Sequence, residues 1–455
     1  MDYTSILKEI KPTLKEKKEI VKIANYLIDY INLTCEKENI QAKAIIVGSV
    51  AKETFLRGKS DIDIFLCFSL DTPINELKEK GLYLGYKCSD KFNGIASEHY
   101  ASHPYVTSLI SNFEVDFVPC YNISDSSQLK SAVDRTILHT KYIQANLNEK
   151  QKDEVLLLKK FMDEIKTYGS EFKVGGFAGY LCELLILKYG TFENTLKNAS
   201  SWHYGTVIDL EDYKTSKLFN DPLITIDPTD KNRNVGAALK LDKMGDFILA
   251  SRNYLSSINK ESYFYPLKKD IDKRIILDEF KKRGTDIIAI KFTIPNIPLD
   301  TLHPQLKKTV ESLSDKLCFE DFSVFKSSYW TDEGDIAILL LEMSVSKLNN
   351  IKVHYGPKIF DQKPSQNFIN AHGKESCYVI NDFLVLDVYR KFTKAEDLIR
   401  HILKKENISL IKVGKNLKEP ILNSYELISF DSIDDKDYLN FLDDYLYPNK
   451  YLNRG

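Results

Sequence analysis

The sequence predicts a multidomain chain with an α/β head, a helical neck, a mixed body and a small α+β tail. Three observations predict this fold class. First, 455 residues exceed the usual length of one domain, so two to four domains are expected. Second, amphipathic helices alternate with short apolar strands at the start of the chain, and helical patterns then take over. Third, the last part shows a strand–helix–strand–strand order. We place the head at residues 1–145, the neck and body at 146–260 and the tail at 261–455.

The head opens with a predicted long helix over residues 4–36, in which apolar residues recur at helical spacing. An apolar strand over residues 44–47 ends at Gly48-Ser49. The other predicted head elements are a helical turn at 51–56, a turn at 57–60, a strand at 61–68, a helix at 73–90, and paired strands at 105–110 and 114–118 around Ser111-Asn112.

The elements of the neck and tail are predicted from the same kinds of sequence pattern. Residues 149–189 have helical periodicity, and residues 200–255 mix short strands with a helix. A Pro/Lys/Asp stretch at 265–270 marks a boundary. Beyond it we predict strands at 287–293, 322–329 and 336–344, a helix at 304–317 and an acidic, aromatic packing helix at 430–445.

Composition excludes some classes of protein. The chain is 43% hydrophobic and 28% charged with a net charge of −2, which excludes a protein that is basic throughout but not a local RNA-binding surface. No run approaches ~18 apolar residues, so we expect no membrane helix. The N-terminus lacks the pattern of a secretory signal. Seven scattered cysteines without a CxxC pair are typical of reduced thiols in a cytoplasmic protein.

Three aspartates carry the strongest chemical signal. Asp61 and Asp63 lie two residues apart in an apolar strand pattern, so their side chains share a face. Asp116 lies in a second apolar run, Val115–Pro119. Carboxylates in such strands are unfavourable unless they are paired or bind a cation, and three of them make an oxygen-rich site that suits Mg²⁺. Mg²⁺ ions held in this way, with substrate phosphates as their remaining ligands, catalyse phosphoryl and nucleotidyl transfer.

Gly48-Ser49 precedes this acidic pair by eleven residues. Gly48 allows the backbone to approach a phosphate closely, and the Ser49 hydroxyl can help to hold it. Taken alone the pair is a weak signal, because such residues close many strands. The whole spacing, from Gly48 to the distant Asp116, indicates a metal-dependent nucleotidyl-transfer head.

The segment Gly48–Leu66 resembles the signature of the polymerase-β-like nucleotidyltransferase superfamily. Further motifs make the chain similar to the class I, archaeal-type CCA-adding enzymes, the tRNA nucleotidyltransferases; the match is strong over the first ~240 residues. These motifs are Gly48–Gly58, Glu98–Tyr105, Val115–Tyr121, Lys130–Thr136, Gly176–Leu185 and Asp227–Val235.

The resemblance implies roles for individual residues. Asp61, Asp63 and Asp116 would be the catalytic carboxylates that hold two Mg²⁺ ions, and Gly48, Ser49 and Lys52 would bind the nucleotide triphosphate. Family residues around the nucleotide fall on Thr136, His139, Lys159 and Tyr168, and the base-reading arginine falls on Arg233. The sequence departs from the family in having Asp61 where Glu is common and Lys52 where Arg is commoner; a lysine gives a point charge instead of a two-point fork.

The implied reaction is template-independent addition of C, C and A to the 3′ end of immature or damaged tRNA from CTP and ATP. The implied partner is the tRNA acceptor stem and TΨC arm, held by shape and phosphates. A homodimer is compatible with the resemblance. Two alternatives stay open: a poly(A)- or oligoadenylate-type nucleotidyltransferase, and a catalytically inactive RNA-binding relative.

Some residues have competing interpretations. His99 and His103 have a spacing that could suit zinc, but no third ligand is evident. Asp134-Arg135 is interpreted as an internal salt bridge that shapes the site, in preference to a pair of direct ligands. Lysine-rich runs at 150–173 and 268–283 could follow tRNA phosphates or simply face water.

Overall fold

The computed structural model describes residues 1–59, 61–100, 103–267 and 271–454. The chain divides into two compact units, one of residues 1–268 with 448–455 and one of residues 269–447. Within the described ranges, no helix combines the length and apolar character needed to cross a membrane.

The first unit begins with a five-stranded sheet in the order β1-β2-β5-β4-β3. Strands β2 and β5 are parallel, and the other neighbours are antiparallel. The elements are α1 (Thr4–Ile10), α2 (Leu14–Lys37), β1 (Ala42–Val47), α3 (Gly48–Lys52), β2 (Ile62–Phe68), α4 (Ile74–Lys91), β3 (Ile95–Tyr100), β4 (Pro104–Ile110) and β5 (Phe113–Tyr121).

The predicted continuous helix over residues 4–36 is wrong, because the chain breaks between α1 and α2. Lys11 has ψ of 130°, the extended conformation that the following Pro12 favours. Thr13 then starts α2 with a capping box: its hydroxyl accepts from the Glu16 amide at 3.2 Å, and the Glu16 carboxylate accepts from the Thr13 amide at 2.6 Å.

Most other head predictions are close to the observed bounds, but the helical turn predicted at 51–56 is observed earlier, as α3, and β3 was not predicted. The pair β4 and β5 is antiparallel around Ser111 and Asn112, whose φ values of 51° and 68° are those of a tight hairpin turn. The predicted strand at 61–68 begins one residue later, at Ile62. The predicted turn at 57–60 includes Ser60, which lies outside the described residues.

The two faces of the sheet bury different cores. Even-numbered β2 residues, including Ile62 and Ile64, pack with α2 and α4. Odd-numbered ones, including Phe65 and Cys67, pack with Ile137 on the other face. This alternation places Asp63 on the second face, away from the main apolar core.

The rest of the first unit is a helical core with a small three-stranded sheet, in the order β6-β7-β8. Phe161, Phe247 and Tyr254 are fully buried in this core. The elements are α5 (Arg135–Asn146), α6 (Glu149–Glu164), α7 (Gly179–Tyr189), α8 (Phe192–Ala199), β6 (Thr206–Ile208), β7 (Leu223–Asp227), β8 (Asp230–Asn234) and α9 (Leu241–Ser256). Short 3₁₀ helices cover Ser126–Gln128, Ser216–Leu218, Val235–Ala238 and Lys260–Phe264.

The second unit, residues 269–447, has the α+β character predicted for the tail at 261–455, but residues 448–455 belong to the first unit. A four-stranded sheet, β10-β11-β9-β15, and a three-stranded sheet, β12-β14-β13, are its framework. The elements are α10 (Lys273–Arg283), β9 (Asp286–Thr293), α11 (Leu299–Phe319), β10 (Ser323–Thr331), β11 (Ile336–Val345), β12 (Ile351–Lys358), α12 (Gln362–His372), β13 (Tyr378–Ile380), β14 (Phe383–Tyr389), α13 (Ala395–Ile402), a 3₁₀ helix (Ile408–Leu410), α14 (Lys418–Ser424), β15 (Glu426–Ile428) and α15 (Lys436–Leu446). The helix predicted near 430–445 is α15, whose Tyr438 and Leu442 pack in an apolar core with Trp330.

Candidate active site

Sheet register brings the predicted carboxylates together. Asp63 in β2 pairs with Asp116 in β5, and because the two strands are parallel, their side chains leave the same face. Asp61 lies one residue before β2 and keeps the two-residue spacing from Asp63. All three predicted carboxylates therefore lie on the same face of the sheet, at neighbouring positions of β2 and β5.

Burial and mutual repulsion dominate the electrostatics of these acids. Burial, together with the charges of Asp116 and Asp61, raises the pKa of Asp63 to about 7, although Lys52 opposes the rise. Burial also raises the pKa of Asp116, although the Thr107 hydroxyl donates to its Oδ1 at 2.6 Å and opposes that shift. The pKa of Asp61 is raised by burial as well. Three neighbouring acids with raised pKa values bind a proton or a cation readily.

The donor set fits Mg²⁺ in chemistry. It consists of carboxylate oxygens on adjacent strands, the ligands that Mg²⁺ prefers, and the pKa values of Asp63 and Asp116 are raised by burial and by neighbouring negative charges. Among the described residues, no three His, Cys, Asp or Glu side chains are grouped closely enough to hold a metal ion as they stand, and this includes the three aspartates.

Gly48 is packed directly against Asp63. It has φ of +71°, and a Cβ added there would lie 1.9 Å from Asp63 Oδ2. Its amide donates to Thr140 Oγ1 at 3.3 Å. Both the backbone conformation and the contact thus require glycine. Gly48 begins α3, which carries the half-buried Ser49 and ends at Lys52.

A buried carboxylate, Glu183, links the two predicted triphosphate lysines. Lys52 Nζ donates to Glu183 Oε2 at 2.6 Å. Lys159 Nζ lies 3.6 Å from Glu183 Oε1 and donates to the Thr54 carbonyl at 2.8 Å. The Thr54 hydroxyl donates to Glu183 Oε1 at 2.5 Å. We call Lys52, Thr54, Lys159 and Glu183 the lysine–glutamate cluster.

A second buried carboxylate, Asp227, holds the predicted base-reading side chains. Its Oδ2 accepts from Arg233 at 2.8 Å and lies 2.8 Å from His139 Nε2. The Tyr180 hydroxyl donates to its Oδ1 at 3.3 Å, and the Tyr180 ring stacks on His139 with centroids 3.9 Å apart. Burial alone would raise the pKa of Asp227, but the hydrogen bonds from His139 and the Thr229 amide and the charges of His139 and Arg233 hold it well below its usual range. Arg233 keeps 33% of its side chain exposed, so it remains accessible to a ligand.

The last two predicted residues lie on the same elements. Thr136 is in the first turn of α5, three residues before His139 and on the same helix face. Tyr168 follows α6, and its hydroxyl approaches α7 beside Lys159: a Cβ at Gly179 would lie 3.2 Å from the Tyr168 hydroxyl and 3.5 Å from Lys159 Nζ. Burial raises the pKa of the Tyr168 hydroxyl, which stays protonated as a donor.

The predicted Asp134–Arg135 salt bridge is wrong. Asp134 instead accepts from the backbone amides of Tyr121, Lys130 and Ser131, at 2.9, 3.1 and 2.7 Å. Arg135 donates to Asp230 of β8 at 3.2 and 3.3 Å. Adjacent residues at the start of a helix diverge, so sequence proximity gave the wrong partner.

Sequence reasoning did not single out Glu183, Asp227 or Tyr180. A signal was present for Glu183, since an acid inside the apolar stretch Leu181–Leu185 must have a partner if it is buried. Asp227 follows a run of four apolar or β-branched residues, Leu223–Ile226, in the same way.

Comparisons with known proteins cover all three parts of the chain. Residues 27–139 match the nucleotidyltransferase domain family. Residues 153–265 match the second domain of tRNA nucleotidyltransferases, and residues 283–429 match the C-terminal domain of CCA-adding enzymes.

Whole-length relatives give the same result. The CCA-adding enzyme of Methanothermobacter thermautotrophicus is 45% identical, with 100% of this chain and 99% of the relative covered. That of Methanosarcina mazei is 35% identical, with 96% of each chain covered. That of Thermoplasma acidophilum is 34% identical, with 94% of this chain and 95% of the relative covered.

Proposed function

The chain belongs to the archaeal-type CCA-adding enzymes, and from this premise we propose how its own residues perform the reaction. The protein is a tRNA nucleotidyltransferase that adds C, C and A to the 3′ end of tRNA from CTP and ATP without a template. The terminal tRNA hydroxyl attacks the α-phosphorus of the nucleotide, and pyrophosphate leaves.

The pairing of Asp63 with Asp116 carries the catalytic proposal. Together with Asp61 these residues would hold two Mg²⁺ ions, which when bound supply an activated 3′-hydroxyl and charge stabilisation of the leaving pyrophosphate. Gly48 keeps the Asp63 carboxylate free of steric contact with a neighbouring side chain. Asp116, whose pKa is raised by burial, is suited to assist removal of the hydroxyl proton.

The triphosphate is assigned to the groups next to these carboxylates. Ser49 and Lys52 on α3 would bind its phosphate oxygens, and Lys159 and Tyr168 would donate to them from α6 and the turn that follows it. Thr136, in the first turn of α5, would also contact the nucleotide. Holding the phosphates in line supplies most of the acceleration in such reactions.

Base recognition is assigned to the Asp227-centred group. Arg233 would donate to acceptors on the base edge, with His139 beside it on the same carboxylate. A guanidinium can donate to both cytosine and adenine, so Arg233 alone does not choose between them. The growing tRNA end must then contribute to the choice.

The tRNA acceptor stem and TΨC arm are assigned to the second unit, whose residues 283–429 match the C-terminal domain family. Of the lysine run predicted at 268–283, residues 268–270 lie outside the described residues. Lys281 and Lys282 are largely exposed, at 77% and 73% of their side chains, and are available to phosphates. A cytoplasmic location and a homodimer remain proposals.

A product-sizing experiment tests the function. The protein is incubated with Mg²⁺, labelled CTP and ATP and a tRNA that lacks its last three nucleotides, and products are resolved to single nucleotides. Addition that stops after C, C and A supports the proposal. Long adenylate tails would indicate the poly(A)-type alternative, and tRNA binding without incorporation would indicate an inactive RNA-binding relative.

A further inference from the structure

The lysine–glutamate cluster contains more charge than a structural ion pair needs. Glu183 has no exposed surface, and the side chains of Lys52 and Lys159 are only 8% and 2% exposed. If all three groups are ionised, two ammonium ions share one carboxylate away from water. Two like charges in such a place are unfavourable unless another anion joins them.

The cluster also joins separate elements of the first unit. Lys52 ends α3, directly after Gly48-Ser49, while Lys159 lies on α6 and Glu183 on α7. Thr54 completes the connection, because its carbonyl accepts from Lys159 and its hydroxyl donates to Glu183. Glu183 therefore helps to fix the position of the Lys159 ammonium group relative to that of Lys52.

We propose that Glu183 is a positioning residue for nucleotide binding, which holds Lys52 and Lys159 side by side, both charged, to receive a nucleoside triphosphate. The inference rests on the proposed function, since it assigns a role to a residue behind the triphosphate-binding lysines. The triphosphate supplies the anion that the two ammonium ions lack. Glu183 itself does not touch the nucleotide.

The charge balance supports this role. Burial lowers the pKa of Lys159, Lys52 lowers it further, and the Glu183 carboxylate is the main group that opposes the shift. The titratable groups that face the two lysines include Glu183, Cys182, Tyr168, Tyr180, Asp63 and His139. Without the charge of Glu183, the two lysines lose the carboxylate that lies beside both of them. One lysine should then lose its proton near neutral pH.

A pH profile of Glu183→Gln is the test. The amide keeps the shape and an oxygen that can accept from Thr54, but it removes the charge. We expect kcat/KM for CTP to approach the wild-type value near pH 6 and to fall about tenfold for each pH unit above the lowered lysine pKa. Asp63 and other groups titrate in both proteins, so the measured quantity is the ratio of variant to wild-type kcat/KM, which should fall as pH rises until the wild-type lysines titrate.

Glu342 offers a matched control in the second unit. It is also fully buried and accepts from a cation, Arg283, at 2.7 Å. Glu342→Gln should lower stability comparably but leave the shape of the CTP profile unchanged. A Glu183→Gln profile parallel to that of wild type would overturn the proposal, since a merely structural role would lower activity equally at every pH.

A milder variant keeps the test decisive if Glu183→Gln does not fold. Thr54→Val removes the hydroxyl that donates to Glu183 and retains the side-chain shape. Glu183 stays ionised but loses one of the groups that fix its carboxylate, so we expect the KM for CTP to rise while the shape of the pH profile is kept. An unchanged KM would overturn the proposal. Failure of the wild-type protein to add C, C and A would instead contradict the proposed function.

Discussion

Asp63 and Asp116 are register partners on the parallel strands β2 and β5. Their carboxylates face the same side of the sheet because of backbone pairing, not because of a flexible loop. Burial raises the pKa of both. The site is therefore a rigid, unfavourably crowded pair of acids that a divalent cation would stabilise.

Replacement of either acid by asparagine should abolish nucleotide addition. Asp63→Asn or Asp116→Asn keeps the side-chain size but removes the negative charge needed to hold a metal ion. We expect a loss of about 10³-fold or more in kcat for CTP addition, measured in single-turnover assays with saturating Mg²⁺.

The control for this prediction is Asp71→Asn. Asp71 is an exposed acid beyond the end of β2, away from the paired carboxylates. It should retain wild-type activity. Substantial addition by Asp63→Asn would contradict the assignment of the metal site.

Substitution of Gly48 should separate backbone strain from crowding at Asp63. Gly48 and Gly58 have nearly equal φ values, +71° and +74°, but a Cβ at Gly58 would have no atom within 4 Å. Each alanine variant should lose about 1–2 kcal/mol of stability from strain. Gly48→Ala should in addition displace the Asp63 carboxylate and reduce kcat by about 10²-fold.

Thermal melts and steady-state rates of the two glycine variants check this prediction. Equal loss of activity in Gly48→Ala and Gly58→Ala would show that strain alone, and not the contact with Asp63, explains the need for glycine.

The contribution of Asp63 to the stability of the metal-free protein should fall as pH rises through the acidic range. Asp63 has a pKa of about 7 in the folded protein, raised from the ordinary 3.8. Between these values the folded state keeps a proton that the unfolded chain has lost, so the contribution of Asp63 lowers the free energy of unfolding as pH rises from about 4 to about 7. Asp63→Asn removes this contribution and should exceed wild type by about 2–4 kcal/mol near neutral pH.

Urea denaturation in EDTA at the two ends of this range measures the difference. The excess stability of Asp63→Asn should be small near pH 4 and largest near pH 7, and Mg²⁺ should reduce it by stabilising wild type. An excess that is independent of pH would show that the Asp63 carboxylate is not raised in pKa.

Loss of the Asp227 charge should weaken nucleotide selection. In Asp227→Asn the amide cannot pair with Arg233 as a carboxylate does, and His139 loses its charged partner. We expect kcat/KM for CTP and ATP to fall by about tenfold or more and the relative use of UTP and GTP to rise. Incorporation of each of the four nucleotides on a tRNA lacking its last three residues measures both effects.

Asp230→Asn is the matched control, since Asp230 accepts from Arg135 at the other end of the β7–β8 turn. It should keep the wild-type order of preference among the nucleotides. If Asp227→Asn also keeps that order, Arg233 does not read the base through its pairing with Asp227.

Sequence periodicity was enough to predict much of the fold and the three acids. The two-residue spacing of Asp61 and Asp63 and the hairpin at Ser111-Asn112 are local patterns, so they could be read directly. The break at Pro12 was also local and was missed, because helical periodicity continues across it.

The partners of the buried charges could not be predicted in the same way. Glu183 meets Lys52 across 131 positions of sequence, and Asp227 meets His139 across 88. Only the folded chain brings such groups together. The pairing of Arg135 with Asp230 instead of Asp134 shows how a neighbouring acid misleads when distant pairing is unknown.

The most direct test of the central claim is a crystal structure of the protein with Mn²⁺ and a non-hydrolysable CTP analogue, with the metal located by anomalous scattering. The account predicts two metal ions roughly 3.5–4 Å apart, bound by oxygens of Asp61, Asp63 and Asp116. Metal bound to the triphosphate alone, with none of these three carboxylates as a ligand, would contradict it.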